Sequence, residues 1–174
     1  MCIRDRTNSI VPLDGLPVGA SGGGIIQCVQ TVTTSAAQYN NTTFADIPAP
    51  ASLSVSITPQ SSSNKILVIG DISAGGASGS YNIFQLVRNS TNIYAGTDSK
   101  TFIGSKIWYP LSDGNADGNA VGNINMVFLD SPATTSAVTY KVQVRVTSST
   151  GAVNRRSTDD TSLASSLTVL EVSA

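Results

Sequence analysis

The chain contains no histidine, which removes the side chain that most often acts as general base or transition-metal ligand near neutral pH. Charge is scarce too: Asp, Glu, Lys and Arg make up 12% of the 174 residues and leave a formal net charge of −1. So little positive charge gives no electrostatic reason to hold a polyphosphate, and we expect no nucleic-acid partner. No stretch reaches the ~20 consecutive apolar residues of a membrane helix, and the start lacks the apolar core of a signal peptide, so no membrane insertion is expected. Two cysteines, Cys2 and Cys28, are the whole thiol inventory, and Trp108 is the single tryptophan.

What remains is a chain in which 40% of residues are hydrophobic and Ser and Thr together supply about a quarter of the whole. It can bury a core and must cover its surface with neutral hydroxyl and amide groups, and its length is that of one domain. The first residues, Met1-Cys2-Ile3-Arg4-Asp5-Arg6, match the translation of ATG TGT ATA AGA GAC AG, a transposon end used in sequencing libraries. Residues 1–6 are therefore expected to be an adaptor artefact, excluded from fold reasoning. Without them the net charge becomes −2 and Cys28 stands alone, with no intrachain disulfide. Residues 7–24, with Pro12, Pro17, Gly15, Gly19 and the Gly22-Gly23-Gly24 run, read as a linker or lead-in, followed by a domain over residues 25–174.

From Ile25 onward apolar residues recur with a period of two in short runs broken by Ser, Thr, Asn, Gly and Pro. Strands are expected over 25–33, 43–47, 53–58, 65–72, 81–88, 93–95, 124–129, 138–146, 152–155 and 166–172. Ile66-Leu67-Val68-Ile69 is a continuous apolar run, the pattern of a central strand covered on both faces. Arg88-Asn89-Ser90-Thr91-Asn92 reads as a hairpin turn, and 96–122 as a long irregular connection. No window has a convincing helical period. The expected fold is all-β: an antiparallel β-sandwich of jelly-roll type with about eight to ten short strands and almost no helix.

Five stretches carry a resemblance. These are Gly22-Gly23-Gly24-Ile25-Ile26-Gln27-Cys28-Val29-Gln30, Leu53-Ser54-Val55-Ser56-Ile57-Thr58-Pro59, Ser63-Asn64-Lys65-Ile66-Leu67-Val68, Phe84-Gln85-Leu86-Val87-Arg88 and Leu129-Asp130-Ser131-Pro132. With the ending Thr168-Val169-Leu170-Glu171-Val172, they resemble the C-terminal domains of phage tail fibres and related virion proteins abundant in marine phage and metagenomic sequences. The resemblance implies a non-enzymatic β-sandwich at a fibre tip on the extracellular face of a virion. It further implies a homotrimer that contacts a host-surface glycan or protein. Few Lys and Arg residues limit tryptic cleavage and salt-sensitive contacts, as suits a protein outside the cell. The alternatives are a virion decoration or trimerisation domain without a ligand, and a secreted bacterial carbohydrate-binding module.

Candidate sites follow from residue chemistry. Sugar recognition needs aromatic faces and hydrogen-bonding groups, so Trp108 and Tyr109, with Lys100 or Lys106, in the same irregular stretch as Phe102, are the candidate glycan surface. The competing reading packs Trp108 into the core or against a neighbouring subunit. Asp113, Asn115 and Asp117 match the first half of a calcium loop, although Ile124 stands where the closing acid belongs, and turn residues in a connection explain the same pattern. No other cofactor is expected. Arg155-Arg156 and Asp159-Asp160 read as a solvated pair of opposite charges worth ~0 to 1 kcal/mol. Asp71, Asp98, Asp113, Asp117, Asp159 and Asp160 are the acids among which a glycosidase pair would be sought, but no motif singles out two of them. Cys28 is expected to be a small buried hydrophobe. Asn40, Asn41 and Asn89 fit glycosylation sequons.

Overall fold

A computed structural model describes residues 24–110, 120–156 and 161–174. The adaptor-like start, nearly all of the expected lead-in, and Asp113, Asn115, Asp117, Asp159 and Asp160 lie outside the described residues. All described secondary structure is strand. The strands are β1 (Ile25–Thr33), β2 (Ala37–Tyr39), β3 (Ala45–Asp46), β4 (Ser54–Ile57), β5 (Lys65–Gly76), β6 (Asn82–Arg88), β7 (Thr91–Tyr94), β8 (Lys106–Trp108), β9 (Val121–Asp130), β10 (Val138–Val146), β11 (Gly151–Val153) and β12 (Ser165–Val172).

Every pairing is antiparallel, and the strands form two sheets. In the first, β1, β12, β5 and β9 lie side by side, with β11 and β2 extending the sheet beyond the end of β12 along β5. In the second, β3 and β4 pair with one edge of β10, β6 with the other, and β7 and β8 with the far edge of β6. Alternation of side chains along each strand explains the core. Ile66, Val68 and Ile72 of β5, Leu167 and Val169 of β12 and Met126 of β9 meet Val55 and Ile57 of β4, Tyr140, Val142 and Val144 of β10, and Phe84 and Leu86 of β6. Burying each large aliphatic or aromatic side chain is worth about 1.5 to 3 kcal/mol.

The expected strands over 25–33 and 138–146 are found with those bounds. Two short strands, β2 and β8, raise the count above the expected range, and both fall in stretches with no visible alternation. One expectation is overturned: β5 is central, but it is not covered on both faces, because Ile66, Val68 and Ile72 are buried whereas Ile69 is 36% exposed and Leu67 half-buried. Its apolar run is a half-buried strand whose outer face is aliphatic. A second correction concerns Cys28, which is exposed, since it shares the outward phase of β1 opposite Leu170.

The registers define two ends. At one, Ile25 and Lys65 both pair with Val172, the Ser173 amide donates to the Gly24 carbonyl at 3.0 Å, and Asp130 pairs with Ile66. Across this end the two sheets are stapled: one guanidinium nitrogen of Arg88 reaches both oxygens of Asp130 at 2.9 and 2.7 Å, and the Tyr140 hydroxyl donates to the same carboxylate at 2.7 Å. Burial and the neighbouring carboxylate push the Tyr140 phenol well above its ordinary pKa. At the opposite end Thr33 pairs with Ser165, Gly76 with Gly151 and Asn82 with Trp108. The Tyr39 hydroxyl donates to Asn82 at 2.9 Å there. The described chain thus enters and leaves at the Arg88–Asp130 end.

Candidate functional site

The connection between β7 and β8 folds back over the outer face of the second sheet. The Ser105 amide donates to the Phe84 carbonyl at 2.7 Å, and Gly96 donates to Gly104 across the neck of the loop at 3.3 Å. The Ser105 hydroxyl accepts from the Leu86 amide at 2.9 Å and donates to the Tyr94 carbonyl. A side chain at position 104 would collide with Ile83 and crowd the Phe84 carbonyl, so glycine lets the loop lie flush on β6. The loop leaves a shallow cleft of about 420 Å³ whose lining includes Asp98, Lys100, Phe102 and Ile103.

Beside this cleft stand three aromatic rings. The Tyr81 ring sits 4.6 Å from that of Phe102 and 4.5 Å from that of Tyr109, tilted by 31° and 37°. Phe102 and Tyr109 are more than a third exposed, and Tyr81 is half-buried between them. Tyr81 immediately precedes Asn82 and Tyr109 immediately follows Trp108, so the cluster lies at the end of the sandwich opposite Gly24 and Ser173. Sequence reasoning read Tyr81 only as the start of a strand. An aromatic after a Ser-Gly-Ser turn carries no sign of which loop will fold back to meet it.

The four residues expected to form one glycan surface are divided by the two faces of β8. Lys100 lines the cleft and Tyr109 belongs to the ring cluster. Trp108 packs against the core, its indole lying so close over Gly122 that a Cβ there would overlap it. Lys106 sits 5.9 Å from the centre of the Tyr94 ring, which stacks on Phe128 at 5.0 Å. Trp108 and Lys106 are thus part of the packing between β8 and β9, and Phe102 and Tyr81 take their place in the exposed cluster.

On the same outer face the second sheet presents a hydrogen-bonded ladder. Asn92 donates to Gln85 at 2.8 Å, Gln85 to Gln143 at 2.7 Å, Gln143 to Asp46 at 2.7 Å, and Lys141 to the other Asp46 oxygen at 2.9 Å. Partial loss of water raises the Asp46 pKa, but these hydrogen bonds and the Lys141 charge outweigh it and hold the carboxyl below its ordinary value. Arg145 lies 5.3 Å from the Phe44 ring centre and donates to the Thr101 carbonyl at 3.4 Å. This face can stack a ring and exchange hydrogen bonds with a neutral polyol.

The acids take other positions. Asp71 lies on the outer face of β5 with Asn123 donating to it at 2.6 Å, whereas Asp98 is in the cleft on the other sheet. Asp130 is consumed by Arg88 and Tyr140. Glu171 is buried and accepts from Gln27 at 2.5 Å, Asn64 at 2.6 Å and the Gln60 amide at 2.7 Å. Burial raises its pKa, and these hydrogen bonds, with one from the Ser61 backbone, bring it below the ordinary value. Among the described residues no three Asp, Glu or Cys side chains gather where they could share a metal ion, and the calcium expectation on Asp113, Asn115 and Asp117 falls outside them. Asn40 is exposed, while the Asn41 amide is engaged with the Thr43 and Val144 carbonyls at 2.8 and 2.6 Å. Asn89 takes the left-handed conformation, φ 54°, in the β6–β7 turn. No protein-family model matches the chain, and no curated protein compared with it is significantly similar.

Proposed function

We propose that this domain is the distal part of a phage tail fibre, a non-enzymatic virion module that attaches to glycans on the host surface. The observation that carries the reading is the position of the Tyr81, Phe102 and Tyr109 cluster. It is exposed, adjoins a cleft bearing Asp98 and Lys100, and lies at the end of the sandwich away from Gly24, where the preceding chain joins. A tip domain held from one end needs its contact surface at the other. Aromatic faces beside neutral donors and acceptors match the chemistry of a sugar ring, which is apolar on its C–H face and hydroxylated at its rim.

One feature supports the wider context. If the three short strands β2, β3 and β11 are set aside and β7 and β8 are counted as one edge, eight strands remain. Renumbered in chain order, they run 1-8-3-6 in one sheet and 2-7-4-5 in the other, the order of a jelly roll, a fold that recurs in virion and lectin domains. The domain acts as a homotrimer, in which three weak sites engage one surface together and gain avidity.

The test is binding to an oligosaccharide panel, read by glycan array and then by calorimetry for any binder. Phe102→Ala and Tyr109→Ala are expected to weaken binding about 5- to 10-fold each, the loss of one stacking contact of ~1 kcal/mol, with unchanged melting temperature. A ligand whose affinity ignores both rings would overturn the site. Tail and baseplate genes beside the locus are the expected neighbourhood, and polysaccharide-degrading enzymes there would favour a secreted carbohydrate-binding module instead.

A further inference from the structure

We infer that the outer face of the β1–β12–β5–β9 sheet is the surface through which copies of this chain associate; this rests on the homotrimer reading above and names its interface. In a chain so rich in Ser and Thr, outward positions of a wet sheet have hydroxyl residues available to fill them. At the centre of this face they are aliphatic, with the Gln30 amide donating to the Thr168 hydroxyl at 2.8 Å beside them. Val127 is 60% exposed, Leu129 55% and Val32 57%. The first two lie directly across from Ile69 and Leu67 of β5, and Leu67 in turn faces Leu170 of β12. The row Leu129, Leu67, Leu170 and the adjacent pair Val127, Ile69 form one continuous apolar patch at the centre of the face. The opposite face of the molecule, by contrast, carries the Asn92, Gln85, Gln143 and Asp46 ladder.

Three arguments select a second copy as the occupant. The first is area. Four strands spaced ~4.8 Å apart and about eight residues long give a face of roughly 19 by 26 Å. Each copy thus contributes about 500 Å², and three copies together roughly 1,500 Å², the total area buried in a standard specific interface. The second is charge. Along β5 the outward side chains between Lys65 and Asp71 are uncharged, and Lys65 and Asp71 make hydrogen bonds to Ser131 and Asn123 at the margins of the patch. Identical neutral centres meet without like-charge repulsion, as a symmetric assembly requires. The third is chemistry. The patch has no aromatic ring to stack a sugar, and its rim carries Lys65 offset by Asp71 rather than the basic cluster and Trp or Tyr belt of a lipid-facing surface. Copies arranged about an axis along the strands, each sharing this face with two neighbours, deliver every Gly24 to one end and every Tyr81 cluster to the other.

The experiment is light scattering coupled to size exclusion on the full chain, comparing the wild type with Val127→Glu and Leu129→Glu, and with Ile107→Glu on the other sheet as a control. Circular dichroism follows the fold of each. The expected result is a wild type and control at about three times the chain mass and both patch variants at the monomer mass with an unchanged β spectrum. The milder Val127→Thr/Leu129→Thr pair, compatible with strand structure, is expected to weaken association at least 10-fold. Patch variants that keep a trimeric mass overturn the face while leaving the threefold reading intact. A wild-type dimer split by Val127→Glu supports the face and removes the trimer, and a wild-type monomer at ~100 μM overturns both.

Discussion

At the scale of single residues, the buried carboxylate of Glu171 makes the clearest prediction. Its folded pKa lies below the ordinary value of 4.5, so its contribution to stability is present above that pH and is lost as pH falls through the folded value. Thermal melting between pH 7 and pH 3 is expected to show a falling acid limb. Glu171→Gln should flatten that limb while lowering stability at pH 7 by about 1 to 3 kcal/mol, because Gln60, Asn64 and Gln27 lose a charged acceptor. A variant with the wild-type acid limb would assign that limb to other carboxylates. Trp108 makes a second. Its packing over Gly122 and the core predicts that Trp108→Ala costs about 2 to 4 kcal/mol in chemical denaturation. Gly122→Ala should also destabilise, because a methyl group there overlaps the indole. The sequence named Trp108 as the aromatic worth attention but could not tell an inward ring from an outward one, because β8 is too short to display a period.

At the scale of strands, periodicity reported faces faithfully where it ran long enough. β10 alternates buried and half-buried positions over nine residues, and that is what its Val-x-Tyr-x-Val-x-Val-x-Val pattern predicts. β4 alternates exposed and buried positions over Ser54–Ile57. The rule misled at β5 because four consecutive aliphatic residues look alike whether the second face meets protein or stays open. Loops were least legible. The β7–β8 connection was recognisable as long, but the glycine that seats it and the ring that meets it, Gly104 and Tyr81, are partners set by tertiary packing alone. The seating predicts that Gly104→Val disorders the cleft. Lost sugar affinity with a melting-temperature drop of only a few degrees is the expected signature, since the side chain clashes with Ile83 in a loop and leaves both sheets paired. Unchanged affinity would show that the loop does not form the site.

For the whole molecule, the decisive pairing is between the chain's extremities. β12 lies between β1 and β5, joined to both over nearly its full length, so residues 165–172 are the centre of a sheet rather than a tail. Truncation after Ala164 is expected to abolish folding, seen as loss of the β signal in circular dichroism and of a cooperative melt. A fold that closes only when its last strand inserts depends on contacts far apart in sequence, and such topologies fold in milliseconds to seconds rather than microseconds. The all-β class was legible from composition and alternation, whereas this partner order was not, because a period of two assigns each side chain a face and says nothing about which strand comes alongside.

The closure at Gly24 and Ser173 has a practical corollary. Because the Ser173 amide touches the Gly24 carbonyl, the domain leaves its surroundings almost at the point where it arrives, and splicing it into a surface turn of an unrelated scaffold would hardly spread that turn apart. Such geometry makes the sandwich a portable cassette: one that recombination, or an engineer, can swap between carriers without redesigning either.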